Sequence, residues 1–334
     1  MANVFTNLAA DIYDAAEIVG RELVAGVNSV RVNGGAEEAA KGDTVRASFT
    51  QPQIVSTTYA PSMTIPEGVD QTVENKTMSL DTYASIQIPY TGEDKKHLNN
   101  GAGYQWVYGK QIEQAIRSIT NKMELDLMLH IGQNAGNAYG AAGTTPFASN
   151  MNDLPNIMKL LLDRGCPDDG QISGIYDTTA AVNIQNLANL YKVNEAGNGD
   201  LLRNGKLGEL YNIVLKRSAQ VARPAVGGGT SYVLNGAHAL GTKSIIVKTG
   251  SGTVVAGDVV AINGVKYVAT SGIAAAGTFS IASGLVAAGV DGDAVTLSAI
   301  SRRNVVFHRD AVELAMRPLE EPDGGDAATD RMVI

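Results

Sequence analysis

YQWVYGKQIEQAIRSITNKMELDLMLHI, Tyr104 to Ile131, is the stretch from which the rest of the chain can be read. Its apolar residues Tyr108, Ile112, Ile116, Ile119, Met123, Leu127 and Ile131 recur every three or four positions, which lays one apolar stripe along a helix. Glu113 and Arg117 sit four apart on the other side, a helix-supporting pair. At about 1.5 Å per residue the helix would be roughly 40 Å long, far above the usual globular length, and a rod of that size needs other layers to cover it. Nothing in it suggests chemistry: His130 is its only histidine and reads as a core or edge residue.

The chain around this rod has 334 residues, 44% of them apolar, enough for one large domain or two to three ordinary ones. A net charge of -8 argues against general affinity for a nucleic acid backbone, which needs concentrated Lys and Arg. A wall that merely surrounds nucleic acid has no such need. The single cysteine, Cys166, excludes an internal disulfide and a cysteine-rich metal site and fits folding in a reducing compartment. Asp11, Asp14 and Glu17 stand where a secretory signal would carry a basic start and an apolar core. No later stretch reaches about 18 apolar residues in a row, so a soluble protein with no membrane partner is expected. Aromatics are only 5% while Gly numbers 37, a composition of turns and extended backbone rather than of a deep ligand pocket.

On the N-terminal side of the rod, Asn7 can cap a helix with the apolar face Leu8, Ile12, Ala15, Val19 and Leu23, closed near Gly26. Beyond the turn signal Asn33-Gly34-Gly35, residues 43–90 lose helical period and read as extended chain. Val45, Ala47 and Phe49 alternate with polar residues on one leg, Ile86, Ile88 and Tyr90 on the other, with Pro89 marking an edge. Pro52, Pro61, Pro66 and Gly68 interrupt the middle, so the expectation is a long two-stranded excursion with an irregular centre. An isolated hairpin is marginal in water, so this one should lie against a neighbouring subunit or else fold back on its own core. Thr91 with Asp94 predicts a short capped helix, and Asn99-Asn100-Gly101 a break before the rod.

On the C-terminal side, Gly136 to Pro146 reads as a loop, followed by a helix after Asp153 that carries Ile157, Leu160 and Leu161 and ends at Gly165. Gln171 to Tyr176 reads as a strand, Thr178 to Leu190 as a helix and Tyr211 to Lys216 as a strand, a mixed region with short connections. From Val226 to Ile300 the composition shifts to Gly, Ala, Val and Thr. Asn263-Gly264, between two runs of β-branched residues, is the strongest hairpin signal in the chain. Ser244 to Lys248, Thr278 to Ile281 and Ala294 to Leu297 add short strands. The expectation is a separate all-β module, a small barrel or sandwich, reached through a Gly227-Gly228-Gly229 linker. Asp310 can then cap a helical turn containing Val312, Glu313, Leu314 and Met316.

Gly236 to Ser244 has the outline of a phosphate-binding loop, but Thr242 separates Gly241 from Lys243 and a strand follows, so no helix N-terminus would meet a phosphate. Gly199 to Lys206 fails similarly, with Leu207 where a hydroxyl residue is required. His97, His130, His238 and His308 are dispersed without the spacing of a zinc helix motif. No Gly-x-Ser-x-Gly elbow occurs, and Glu37-Glu38, Asp168-Asp169 and Glu320-Glu321 fall in solvated turns. No catalytic residue, cofactor or metal ligand is expected, and an enzyme is disfavoured.

The order of amphipathic arm, extended loop, long helix, α/β region and inserted β module resembles the major capsid proteins of tailed bacteriophages with the Hong Kong ninety-seven fold. More narrowly, the chain is similar to the coat protein family of phage P-twenty-two. The residues that carry the resemblance are Tyr139-Gly140-Ala141-Ala142-Gly143-Thr144-Thr145-Pro146-Phe147, then Asn194-Glu195-Ala196-Gly197 with Asp200-Leu201-Leu202. Ser218-Ala219-Gln220-Val221 follows, and Phe307-His308-Arg309-Asp310-Ala311 with Leu314-Ala315 and Arg317-Pro318 completes the set.

The resemblance implies an α+β capsid fold, with residues 1–40 an N-terminal arm, 41–100 the E-loop and its return, and 101–151 the P-domain with its spine helix. Residues 152–225 would be the A-domain, 226–301 an inserted small all-β domain and 302–334 a return to the P and A regions. Inter-subunit contact would come from Thr57, Tyr59, Met63, Ile65, Val69 and Lys76 on the E-loop, laid over a neighbour's spine residues Ile112, Ile116, Ile119, Met123 and Leu127. Asn263 and Gly264 would turn the hairpin of the inserted domain. By the same resemblance the chain is a major capsid protein that self-assembles as hexamers and pentamers into an icosahedral shell in the bacterial host cytoplasm. Scaffolding, portal and decoration proteins are the implied partners, with double-stranded DNA packaged without sequence-specific binding and domain rotation on maturation. Lys76 raises, and the context disfavours, an isopeptide crosslink of the kind some relatives make. The inserted module is shorter than in the P-twenty-two coat, and the chain stops at Ile334 where relatives continue into further strands. An encapsulin-like nanocompartment shell is the nearest alternative; a hydrolase or glycan-binding protein with a β-domain is the alternative from another class.

Overall fold

A computed structural model describes residues 25–33, 42–50, 63, 73–88, 91–93, 104–192 and 207–317. Along the chain come strands β1 (Arg31–Val32), β2 (Thr44–Thr50) and β3 (Val73–Ser79), helix α1 (Tyr104–Asn134) and strand β4 (Asn137–Ala138). Helix α2 (Asp153–Leu162), strand β5 (Ile172–Tyr176), helices α3 (Thr178–Gln185) and α4 (Ala188–Tyr191) and strands β6 (Glu209–Leu210) and β7 (Ile213–Arg217) follow. Then come β8 (Tyr232–Leu234), β9 (Ser244–Lys248), β10 (Val259–Ile262), β11 (Val265–Val268), β12 (Thr278–Ser280), β13 (Ala294–Leu297), β14 (Val305–His308) and β15 (Glu313–Leu314). The protein is thus mixed α and β with several sheets, and it divides into two compact units, Met1–Ser29 with Ile88–Val312 and Val30–Gln87 with Glu313–Ile334.

In the smaller unit β2 and β3 run antiparallel from Thr44↔Ser79 to Thr50↔Val73, and β1 pairs in parallel with β15. The return leg is therefore residues 73–79 and not Ile86 to Tyr90. Ile86 and Ile88 lie outside any strand, and Tyr90 is outside the described residues. Exposed Lys76, Thr77 and Ser79 explain the misreading: a strand wet on both faces shows no apolar alternation, although Val45 opposite it is buried. The expected first helix lies outside the described residues, and of the short helix after Thr91 only Gly92 and Glu93 are described, both helical.

In the larger unit α1 runs three residues beyond the expected end. Leu127, Met128 and Ile131 are buried, whereas Ile112, Ile116, Ile119 and Met123 are only half-buried. The stripe is buried at Leu127 and Ile131 and only partly covered from Ile112 to Met123.

The sheet β14-β5-β7-β6, with β5 and β7 parallel, carries one core in which Phe147, Leu154, Ile172, Tyr176, Ile184 and Ile213 meet. Asp177 caps α3 by accepting from Ala180 N–H (3.0 Å). The helix expected from Thr178 to Leu190 is broken, because Leu187 turns extended (φ -67°, ψ 122°) and is buried between α3 and α4. The strand expected at Tyr211 starts at Ile213. Tyr211 and Asn212, with φ of 52° and 60°, form the two-residue turn between β6 and β7. After β14 there is one 3-10 turn, Arg309–Ala311, and then β15 instead of the expected longer helical turn, because Glu313 and Leu314 pair with β1.

The stretch after Gly229 closes into a six-stranded barrel. β10 pairs with β11 and β13, β13 with β8, β8 with β9, and β9 with β12. Thr270 N–H to Ser280 O (2.8 Å) and Ala282 N–H to Val268 O (2.9 Å) join β12 back to β11. Tyr232, Leu234, Ile245, Val260, Tyr267 and Phe279 fill the interior. Asn263 and Gly264 (φ 50° and 79°) make the β10–β11 turn, a left-handed pair that suits Asn-Gly.

Two expectations about this module need correction. It is not separate, since β4, from the stretch expected to be loop, pairs with the outer edge of β11 (Lys266↔Ala138, Tyr267↔Asn137). Nor is Gly227-Gly228-Gly229 a loose linker. Gly227 N–H donates to both oxygens of the buried Asp258 carboxylate (3.1 Å each), and a Cβ there would lie 2.1 Å from Thr253 O. The glycine is required by close backbone approach.

Candidate functional site

Of the residues expected at inter-subunit contacts, Thr57, Tyr59, Ile65 and Val69 lie outside the described residues. Met63 is fully exposed at 107%, and Lys76 is exposed on β3 opposite Ala47. Ile112, Ile116, Ile119 and Met123 form the half-covered part of the α1 stripe, and Leu127 its buried end. Asn263 and Gly264 sit at an exposed barrel turn. Apart from buried Leu127, the described residues among them offer partly or fully exposed surface.

Residues that pattern alone did not single out hold the larger unit together. Glu124, on the buried face of α1 and only 3% exposed, accepts from Gly26 N–H through both oxygens (2.8 and 3.0 Å) and from Val27 N–H (3.3 Å). Ser29 Oγ donates to Ala25 O (2.5 Å) and accepts from Lys216 Nζ (2.7 Å). Burial pulls the Lys216 ammonium below the ordinary lysine range, while the charge of Glu124 opposes that shift. A short turn is thereby tied to α1 by Glu124 and to β7 by Lys216, with Gly26 close against the Met128 side chain. Glu124→Ala strands these N–H groups in a buried site, so it is expected to lower unfolding free energy by about 2–3 kcal/mol. Urea unfolding of the isolated subunit checks this; an unchanged midpoint would mean that water replaces the carboxylate.

At the other end of α1, Arg303 Nη1 donates to Gly132 O (3.1 Å) and, more closely, to Gly257 O, placing a cation at the helix C-terminus. Arg164 donates to Ser283 Oγ (3.1 Å) and Gly284 O (3.2 Å), Ser283 to Gly136 O (2.9 Å), and Asn137 to Lys266 O (2.9 Å). The barrel therefore meets the helical body across a seam of hydrogen bonds from charged and polar side chains.

Among the described residues, His308, Cys166 and His238 are the side chains closest in type to a reaction centre. His308 Nε2 faces Asp169 (3.0 Å) while Nδ1 accepts from Asp310 N–H (3.2 Å), so neither ring nitrogen can take a substrate proton. Cys166, in the same region, has its thiol pushed up by burial and then by Asp169 and Asp168, the wrong direction for a nucleophile. His238 Nε2 accepts from Ile246 N–H (3.0 Å), which puts the ring proton on Nδ1, near Gly236 O. In the loop with the phosphate-binding outline, Gly236 N–H already donates to Asp291 (2.7 Å), and strand β9 follows as expected. The similar stretch at Gly199 to Lys206 lies outside the described residues. Among the described residues no group of three His, Cys, Asp or Glu side chains could hold a metal ion, and no helix is long and apolar enough to cross a membrane.

Several carboxylates, buried Glu113 among them, are held below their ordinary range. For Glu113 the leading cause is the Lys110 ammonium (2.6 Å), for Asp169 the Gln171 N–H and then His308, for Asp291 Lys248 and for Asp293 the Val290 N–H. A lowered folded value contributes stability above the unfolded carboxylate range that is lost as pH falls through the folded value. The melting temperature is therefore expected to drop as pH goes below about 4. Asp293→Asn should flatten that decline; an unaltered slope would remove Asp293 from the account.

No protein-family model matches the chain, and no curated protein sequence matches it. Among solved structures, a chain from Mycobacterium phage Che8 is similar at 13% identity with a TM-score of 0.44, over 81% of this chain and 86% of that one. This is a distant likeness that fixes neither family nor function.

Proposed function

We propose that the protein is a major capsid protein of a tailed bacteriophage, with the Hong Kong ninety-seven fold, whose copies assemble as hexamers and pentamers into an icosahedral shell around double-stranded DNA. One observation carries this: the described residues of the smaller unit form two-strand pairings alone, β1 with β15 and β2 with β3. A two-stranded ribbon buries too little to stand in water by itself, so it calls for cover from another chain. The half-buried stripe Ile112, Ile116, Ile119 and Met123 is the matching deficit, an apolar helix face that its own chain leaves unfinished. Laying each subunit's ribbon over a neighbour's helix answers both.

Permanent assemblies of this kind bury roughly 2,000–5,000 Å² per interface, so no single contact need be strong. Scaffolding and portal proteins during assembly in the bacterial host cytoplasm, and a decoration protein on the virion, fit this role. Domain rotation would accompany maturation. The deciding measurement is the size of the purified particle by light scattering and electron microscopy. A megadalton shell is expected, and a monodisperse monomer with saturable small-ligand binding would overturn it in favour of a hydrolase or glycan-binding protein. Shells filled with an enzyme rather than DNA would place the chain among nanocompartments.

A further inference from the structure

We infer that Asn263 is a site of spontaneous deamidation, a built-in ageing reaction on the inserted barrel that holds whether or not the chain builds a shell. Two Asn-Gly pairs have both residues described, Asn235-Gly236 and Asn263-Gly264, and the fold treats them oppositely. The reaction needs the glycine nitrogen to attack the asparagine side-chain carbonyl, so it needs that nitrogen free and the side chain accessible.

At Asn235 the nitrogen is engaged: Gly236 N–H donates to Asp291 Oδ1 at 2.7 Å, and Asn235 N–H is itself bonded to Ile246 O (2.9 Å). At Asn263 both residues are exposed at the tip of the β10–β11 turn, and Gly264 N–H makes no hydrogen bond. A Cβ built on Gly264 would meet nothing within 4 Å, so nothing packs against the glycine of this turn. The Gly264 nitrogen forms a bond to Asn263 Cγ, the Cγ–Nδ2 bond breaks, and ammonia leaves with the proton that Gly264 N–H gives up. Water then opens the succinimide at either carbonyl, giving aspartate or isoaspartate with no net oxidation or reduction.

The product matters because of what Asn263 touches. Its Nδ2 donates to Asp293 Oδ2 (3.0 Å), and Asp293 also accepts from Val290 N–H (2.9 Å). Deamidation replaces that donor with a second carboxylate at hydrogen-bond distance from the first, and like charges so close oppose each other. The isoaspartate branch also adds a main-chain atom within a two-residue turn, which disturbs the Ile262↔Val265 pairing.

The test uses the full chain in mildly alkaline buffer at growth temperature, digested with trypsin and followed by mass spectrometry. Thr249–Lys266 contains Asn263 as its sole asparagine, and Ser218–Lys243 contains Asn235 as its own. In the native protein the acid form is expected to accumulate several-fold faster in the first peptide, with the difference disappearing in urea. Equal native rates, faster conversion at Asn235, or an intact Asn263 when the urea-unfolded chain has converted would each overturn the inference. Asn263→Asp should lower the melting temperature of the barrel, the deficit shrinking in acid as the paired carboxylates protonate; a deficit independent of pH would overturn the charge-opposition part.

Discussion

Excising residues 56–72 is expected to yield a folded subunit that makes no shells. Thr50 and Val73 are partners at the end of the β2–β3 ladder, so their Cα atoms already lie side by side. Residues 51–55 remain to join them, and five residues are within the ordinary length of a hairpin loop. The ladder, α1, the α/β sheet and the barrel keep all their residues, so the circular dichroism and the melting transition of the subunit should persist. The excised stretch contains Thr57, Tyr59, Met63, Ile65 and Val69, five of the six ribbon residues assigned to the neighbour. Without them each copy offers its helix stripe and nothing to lay upon it. Sedimentation and negative-stain images would show subunits or small rings, and regular shells of ordinary size would refute the assembly scheme.

The second large effect is on stability. Gly227→Ala is expected to destabilise the barrel by at least about 3 kcal/mol, because the added methyl meets a backbone oxygen that no rotamer change can move aside. That oxygen, Thr253 O, would lie 2.1 Å away, and Asp258 Oδ2 2.8 Å away. Displacing the Asp258 carboxylate also breaks its bonds from Gly227 N–H and from Val255 N–H (2.8 Å). A loss of this size is a large part of the roughly 5–15 kcal/mol that holds an ordinary domain together. Gly228→Ala is the control one residue along, since its methyl would meet nothing within 4 Å. Calorimetry should find the first variant melting far below the second; matching melting temperatures would show that the strap gives way freely.

What could be read in advance followed signal strength. A stripe repeated over more than six turns leaves little doubt about a helix, and α1 starts at Tyr104, the first residue of the stretch that carries it. Asn-Gly between β-branched runs is almost a complete description of its turn, and it sits between β10 and β11. Most of the misses share a cause, in that the decisive partner is distant in sequence. β4 has two residues and no alternation, and it is a strand because β11 offers an edge. β3 is polar and is a strand because β2 stands beside it. Tyr211 and Asn212 turn the chain without glycine, and Gly227 looked flexible until Thr253 and Asp258 were found against it. Glu124 was legible in principle: an acid on the same helical face as Leu127, Met128 and Ile131 has to be answered by donors from elsewhere.

The first and last strands of the barrel are neighbours, with Tyr232 opposite Val295 and Val233 opposite Ala294. Seen from the parent polypeptide, the whole cassette opens and shuts within a gap of about 4.8 Å, the width of one rung between strands. Lengthening or trimming a loop at its far side leaves that gap unchanged. Such a doorway lets the cassette diverge in size and outer character while the framework that carries it stays in register.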